Sequence, residues 1–469
     1  MAKRIVLCLN PPGDKRYLRD NYCSHASKAH YYWHPYDLLV QAGVLGQKHE
    51  VLGLDANVRG YSFQKTHQIL ANQPFDAILF LTGAVSWKED FRFVHELVVR
   101  RPGLFVCTTG DIGIARSTQL LEQYPWIDSV LMDFTVDSLS RHLAGEIEPG
   151  EELLDYAYRH DGAIVDTGKD KKMRRIELPF PRYDLFPSRH YTHPCARRYP
   201  FASIMTDFGC PYTCTFCITG QLGYKLRDLD NVLSEMHWLW DQGYRELYVK
   251  DSTFGVHKKH HNELLDRMMA EGLAFSWFTL SRANVLNEAL IEKMARAGCH
   301  TVQIGVESVD EEILKNVRKG IKVSQVMEVF QLCRKHGIRT LAHFTIGFPG
   351  ETEESALRTI EFAKVLDSDF ASFNIATPRL GTPYRDQAIA EGWTDPGLDV
   401  LDNSLQFPQI NMPQLSAADL WRLRSRAVRE FHLRPHYLWR TLKNAASSRE
   451  LLSHLRQGYY LFAGLLRGG

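Results

Sequence analysis

No stretch of this chain stays apolar for the roughly 20 residues that a membrane-spanning helix needs. Its start, Met1-Ala2-Lys3-Arg4-Ile5-Val6-Leu7, runs straight into a strand pattern, without the longer apolar core and cleavage site of a signal peptide. Neither sign of charge is in excess: the net charge is +1, so no global field argues for nucleic acid as a partner. The nine cysteines make no disulfide framework, because three are clustered and the rest scattered. These absences together point to a reducing cytoplasm. Also missing is a second C-x2-C pair, which a four-ligand zinc site would use. What is present is ordinary for a globular protein, with 44% hydrophobic and 24% charged residues in 469, enough for two or three domains.

The chain is organised around Gly209-Cys210-Pro211-Tyr212-Thr213-Cys214-Thr215-Phe216-Cys217. The apolar run Phe201–Met205 before it reads as a strand, and Gly209 and Pro211 mark the loop that leaves it. Three thiolates on one tight loop suit a metal site. A zinc ion or an iron–sulfur cluster commonly takes four protein ligands, so three cysteines leave one position for something that is not protein. The C-x3-C-x2-C spacing resembles the signature of the radical S-adenosylmethionine enzymes. That resemblance implies a [4Fe-4S] cluster on Cys210, Cys214 and Cys217, with S-adenosylmethionine on the open iron through its amino and carboxylate groups. One electron from a donor such as flavodoxin or ferredoxin would then release a 5'-deoxyadenosyl radical. The alternative from another class is a non-catalytic binding protein with a metal loop.

Upstream, short apolar runs at 5–10, 51–55, 76–81, 104–107 and 129–132 alternate with helical patterns such as 37–45, 91–100 and 115–123. This is the pattern of a doubly wound parallel sheet, which binds ligands outside the carboxyl ends of its strands. The order, with Asn10-Pro11-Pro12, Asp55 and Thr109-Gly110 at strand ends, resembles the cobalamin-binding domain that precedes many radical S-adenosylmethionine barrels. D-x-H-x-x-G is absent, so the resemblance implies cobalamin without a protein histidine on cobalt; His34, between Trp33 and Pro35, reads as a packed histidine. Domains are expected at 1–145 (Rossmann-like, cobalamin-binding type), 197–395 (a partial barrel) and 396–469 (helical), with a connector at 146–196. In the connector, Asp161-Gly162 marks a hairpin and the basic run 169–175 a solvated loop.

From 197 the alternation resumes. Strands are expected at 201–206, 246–250, 275–280, 301–306, 340–346 and 370–376, with helices near 229–242, 259–271, 287–297, 323–336 and 353–366. Six such units predict a partial (β/α)6 barrel with its working residues at the strand ends. Lys250-Asp251-Ser252-Thr253-Phe254 and Gly305-Val306-Glu307-Ser308 resemble acidic strand ends of the same family, which implies that Asp251 lies near the methionyl amino group. Glu307 is placed to accept hydrogen bonds from a ribose or an amino group. Arg282 can pair a carboxylate bidentately, and Gly347 can let the backbone approach a flat ligand.

The tail is helical from Ala417 and rich in arginine, with few acids and with Trp439, Tyr459, Tyr460 and Phe462 interleaved. Such a pattern fits either a membrane-surface helix or a lid across the barrel. Phe431-His432-Leu433-Arg434-Pro435 looks like the tail of hopanoid-type and anaerobic chlorophyll-ring cyclase-type radical enzymes. These features lead to a radical enzyme, cobalamin-linked, acting on a large apolar substrate (a polycyclic lipid or tetrapyrrole) by methylation, cyclisation or rearrangement. Its alternative is a radical methyltransferase of a soluble natural product or peptide. The location expected is cytoplasmic, with room for peripheral membrane contact through the tail.

Overall fold

The computed structural model describes residues 3–21, 24–28, 31–147, 153–402, 408–443 and 448–466. Two parallel sheets dominate it. The first has seven strands in the order Glu50–Asp55, Ile5–Asn10, Ala77–Leu81, Phe105–Thr109, Ser129–Leu131, Tyr156–His160 and Ala163–Asp166. The first five are parallel and the last two antiparallel. Continuous apolar runs form the central strands because helices cover both faces; Val6, Leu7, Cys8 and Leu9 are wholly buried. The second sheet has six parallel strands in sequence order: Ala202–Ile204, Glu246–Val249, Ser276–Ser281, Cys299–Glu307, Arg339–Ile346 and Phe370–Ile375. The α/β class, the parallel sheets and the open barrel of the sequence reading are all present, with strand bounds shifted by a residue or two.

The connector holds more structure than its composition predicts. Asp161 and Gly162 both have positive φ, as a type I′ turn requires. The hairpin they form hydrogen-bonds onto Ser129–Leu131, so the first sheet continues past residue 145. The basic run is not simply a solvated loop. Arg174–Ile176 is a strand beside Tyr224–Arg227, which in turn pairs with Asp207–Gly209. That small sheet draws the connector to the root of the cysteine loop.

The tail is a lid, and several of its arginines are tethers. Helix Ala417–His432 packs on the last barrel strand, with the buried Arg424 donating to the Phe373 carbonyl at 3.1 Å and Phe431 against Phe373 at 6.0 Å. Arg422 forks onto Glu353 (2.9 and 3.0 Å), Arg440 reaches Asp367 (2.7 Å) and Arg339 reaches back to Glu450 (2.6 Å). These guanidiniums are committed to protein carboxylates and carbonyls, which leaves them little charge to offer an anionic surface. No described helix is long and apolar enough to cross a membrane.

Gly110 shows how tightly the first sheet is closed at its carboxyl end. Its φ is +126°, and a Cβ there would stand 1.7 Å from the Thr82 carbonyl oxygen, whereas Gly60 has φ +64° and nothing within 4 Å. Gly60→Ala therefore costs only left-handed strain, about 1–2 kcal/mol. Gly110→Ala forces the backbone of two strand ends apart and lowers the thermal unfolding midpoint far more. Equal midpoints for the two variants would contradict this account.

Candidate active site

At the carboxyl ends of the barrel strands lies a cavity of about 920 Å³, bounded by the barrel, by Asp20, His25, Lys28, Tyr31 and Trp33, and by the tail helices Pro435–Lys443 and Ser448–Leu466. Cys210, Cys214, Cys217, Asp251, Arg282 and Glu307 all line it.

The cysteine loop is held by backbone. Gly209 has φ +79° and sits against the Gly223 carbonyl, where a Cβ would come within 1.9 Å. Cys210 N then donates to that carbonyl at 3.2 Å, and Thr215 N donates to the Val317 carbonyl at 3.1 Å. All three thiols are free. Cys214 Sγ accepts from Arg282 Nη1 at 3.3 Å, Cys210 Sγ lies 3.6 Å from Thr253 Oγ1, and Cys217 Sγ lies 3.3 Å from Thr219 Oγ1. Burial raises the Cys210 thiol pKa. Among the described residues these three are the only cysteines that line the cavity. Three thiols with no fourth beside them suit a cluster that takes each cysteine on a different iron and leaves one iron open.

Glu307 is aimed by strain. It sits at a bulge in the register with Arg339–Ile346 and has φ +66°. Its carboxylate accepts from Lys319 Nζ at 2.7 Å and from Thr345 Oγ1 at 2.9 Å. Burial pushes the Glu307 carboxyl up, but the Lys319 ammonium and the two hydrogen bonds outweigh it and hold the pKa below its ordinary value. Gly305 makes room for this pair: a Cβ there would meet Glu307 Oε1 at 2.5 Å and Lys319 Nζ at 2.6 Å. Arg282 stacks on Tyr212, 3.8 Å from its ring centre, while bonding Cys214 and the Lys319 carbonyl. It is a cation fixed against the cysteine loop more than a free carboxylate clamp.

Two expected residues have other neighbours. Asp251 borders the cavity but turns its oxygens inward, to Thr206 N (2.7 Å), Thr206 Oγ1 (2.5 Å) and Asp207 N (3.3 Å). Gly347 is not among the residues that line the cavity; Leu420 of the tail packs beside it, 3.0 Å from where a Cβ would be. His34 is wholly buried, its ring nitrogens 3.0 and 2.9 Å from the hydroxyls of Ser203 and Ser188, and burial with nearby Lys250 lowers its pKa to about 3. It is a packed histidine, as its neighbours in sequence imply. Lys319 and Thr345 escaped the sequence reading. Lys319 follows the short helix Glu311–Asn316 in a turn whose only local signal is Gly320, and nothing near it in sequence announces Glu307.

With its folded pKa below the ordinary 4.5, Glu307 contributes stability that is present above pH 4.5 and lost as pH falls through the folded value. Lys319→Met leaves a buried carboxylate unpaired, at a cost of about 3–5 kcal/mol near neutral pH. Burial then acts without the ammonium and raises the carboxyl above 4.5, so the sign reverses and protonation relieves the cost. The gap in unfolding midpoint between wild type and Lys319→Met should therefore narrow as pH is lowered from neutral. A gap that stays constant with pH would show that Lys319 does not govern Glu307.

A model of the radical SAM superfamily matches residues 206–363. An uncharacterized methyltransferase of Pyrococcus horikoshii is 30% identical over 418 residues, which are 86% of this chain and 89% of that one. The anaerobic magnesium-protoporphyrin IX monomethyl ester cyclase of Rubrivivax gelatinosus is 24% identical over 381 residues, 77% of this chain and 67% of that one. Among solved structures, the radical S-adenosylmethionine methyltransferase TsrM of Kitasatospora setae, with cobalamin and a [4Fe-4S] cluster bound, superposes with a TM-score of 0.63 at 20% identity, over 84% of this chain and 77% of that one. By this relatedness across nearly its whole length, and by the superfamily match over the barrel that carries the cysteine loop, the chain belongs to the radical S-adenosylmethionine superfamily.

Proposed function

We propose that this radical S-adenosylmethionine enzyme works with cobalamin beside its cluster and methylates, cyclises or rearranges a large, mostly apolar substrate, a polycyclic lipid or a tetrapyrrole. The observation that carries this reading is the cavity. Its lining holds Cys210, Cys214 and Cys217 together with aliphatic and aromatic side chains of the tail, among them Leu438, Leu442, Leu455 and Phe462. Such a space takes an apolar molecule at one end while its reacting carbon faces the cysteine loop. The tetrapyrrole-acting cyclase relative supports the same substrate class. When bound, the cluster and S-adenosylmethionine supply radical chemistry at a carbon, and cobalamin supplies a transferable methyl group.

The chain's own residues then have separate tasks. The three cysteines hold the cluster. Arg282, 3.3 Å from Cys214 Sγ, sets positive charge beside a ligand that must be a thiolate. Glu307 offers acceptor oxygens for S-adenosylmethionine, with Lys319 keeping it ionised. The tail excludes water from the far end. For a corrin, Tyr31, Trp33 and Tyr248 provide aromatic wall between the two sheets. His25 also borders this space, whereas His34 is sealed behind Ser188 and Ser203.

The membrane contact we propose rests on apolar surface rather than on the tail's arginines. Leu438, Trp439, Leu442, Leu455 and Tyr459 are exposed, and four of them also line the cavity, so the mouth itself is apolar. A substrate dissolved in lipid would pass from one apolar phase to another.

Three measurements bear on these assignments. Anaerobically reconstituted protein should show iron–sulfur absorption together with corrinoid bands, and Cys210→Ala/Cys214→Ala/Cys217→Ala should lose the iron and sulfide; wild-type content in that variant would remove the cluster from the loop. Electron paramagnetic resonance of the cobalt(II) form should lack a protein nitrogen splitting, and a splitting abolished by His25→Ala would overturn the histidine-free reading. Vesicle co-sedimentation should persist at high salt and fall in Leu438→Ser/Trp439→Ser/Leu442→Ser, since screening weakens charge contacts and not apolar ones. Protein that stays in the supernatant with vesicles present has no such contact.

A further inference from the structure

Behind the cysteine loop three buried side chains meet, only one of which, Asp251, borders the cavity. Asp207, Asp251 and His261 each bring one ligating atom to within 4.8 Å of the other two. His261 Nε2 stands 3.5 Å from Oδ2 of Asp207 and 3.5 Å from Oδ2 of Asp251. The other ring nitrogen, Nδ1, lies 3.0 Å from the His257 carbonyl oxygen. A carbonyl only accepts, so Nδ1 carries a proton, and Nε2 is the ring nitrogen that faces the two carboxylates. Their hydrogen-bond donors come from the other sides: Thr206 and the backbone serve Asp251, and the Tyr224 hydroxyl reaches Asp207 Oδ2 at 2.8 Å. The second Asp207 oxygen, Oδ1, is buried without a partner. Two carboxylates and one ring nitrogen thus gather at one point that no lysine or arginine of the described residues reaches by an ion pair. Two carboxylates buried together need a cation or a proton at that point.

We propose that Asp207, Asp251 and His261 hold a divalent transition-metal ion, Zn²⁺ or Fe²⁺. A tetrahedral ion with bonds of about 2.0–2.1 Å keeps its nitrogen and oxygen ligands about 3.3 Å apart. The two 3.5 Å separations already lie near that spacing. The imidazole's Nδ1 bond to a backbone carbonyl is the orienting contact that metal-bound histidines make. With one ligand on the small sheet that leads into the cysteine loop, one after strand Glu246–Val249 and one on helix Lys258–Ala270, the ion would bind these elements together. All three residues are buried, and of the three only Asp251 borders the cavity that the cysteines line, so the ion would sit behind the cavity wall and share no ligand with the cysteine loop.

The test begins from full-length Cys210→Ala/Cys214→Ala/Cys217→Ala, in which cluster iron is gone and loss of the cluster cannot be mistaken for loss of this site. Elemental analysis after desalting should find about one divalent ion per chain, lost on adding His261→Gln or Asp207→Asn. Chelator-stripped protein should take up Zn²⁺ in competition with a chromophoric indicator. If the added substitutions prevent folding, added Zn²⁺ should still raise the unfolding midpoint of the stripped triple variant. A folded triple variant that contains no metal, takes up no Zn²⁺ and keeps its midpoint would overturn the proposal, and a proton on His261 Nε2 would then be the occupant. Unchanged metal content in Asp207→Asn would overturn it as well.

Discussion

A parallel sheet that stops at six strands does not close, and most of this molecule is a response to that fact. The sheet has two free edges, Ala202–Ile204 and Phe370–Ile375, whose backbone groups need cover. The first sheet's domain covers one edge. Tyr36 accepts from Met205 N at 3.2 Å, Tyr183 donates to the Ser203 carbonyl at 2.6 Å, and His34 sits on the Ser203 hydroxyl. The tail covers the other, through Arg424 on the Phe373 carbonyl and Phe431 on the Phe373 ring. Because neither cover is another barrel strand, the mouth between them stays wide, and that mouth is the cavity.

The same geometry decides the electrostatics. Strand ends at a half-closed mouth are neither in water nor in a packed core, so each charge there is matched by a specific partner. Glu307 has Lys319 and Thr345; Arg282 has a ring, a carbonyl and a cysteine sulfur. His343, on the neighbouring strand and also facing the cavity, is kept neutral by burial, with its pKa lowered to about 4. The cysteine loop therefore stands next to fixed charge at the cavity wall.

Much of this was legible along the chain because the signals are local. Apolar runs of five to nine residues are strands wherever they are flanked by helices on both faces, and the barrel strands fall within a residue or two of where periodicity puts them. The cysteine spacing lies within eight residues, and the Asp161-Gly162 turn within two. The family resemblance rested on those short-range features and on their order. What the chain order concealed was pairing at a distance. Lys319 meets Glu307 through a turn of no distinctive composition, Gly347 opens toward Leu420 of the tail, and Asp251 spends its oxygens on Thr206 and Asp207, some 45 residues away in sequence.

The tail makes the division plain. By itself the sequence determined that the tail is built of helices, Ala417–His432, Pro435–Lys443 and Ser448–Leu466 among the described residues, and rich in arginine, since helix periodicity and capping are properties of neighbours; Ser416 and Asp419 form the first cap directly. Whether those arginines face lipid or protein was decided only by the tertiary structure. A guanidinium pairs with whatever acceptor the fold brings within reach, and here Glu353, Asp367 and the Phe373 carbonyl are carried to it by a helix and a strand that lie 50 or more residues earlier. Local geometry specifies elements; the identity of a charge's partner belongs to the packing of elements against one another.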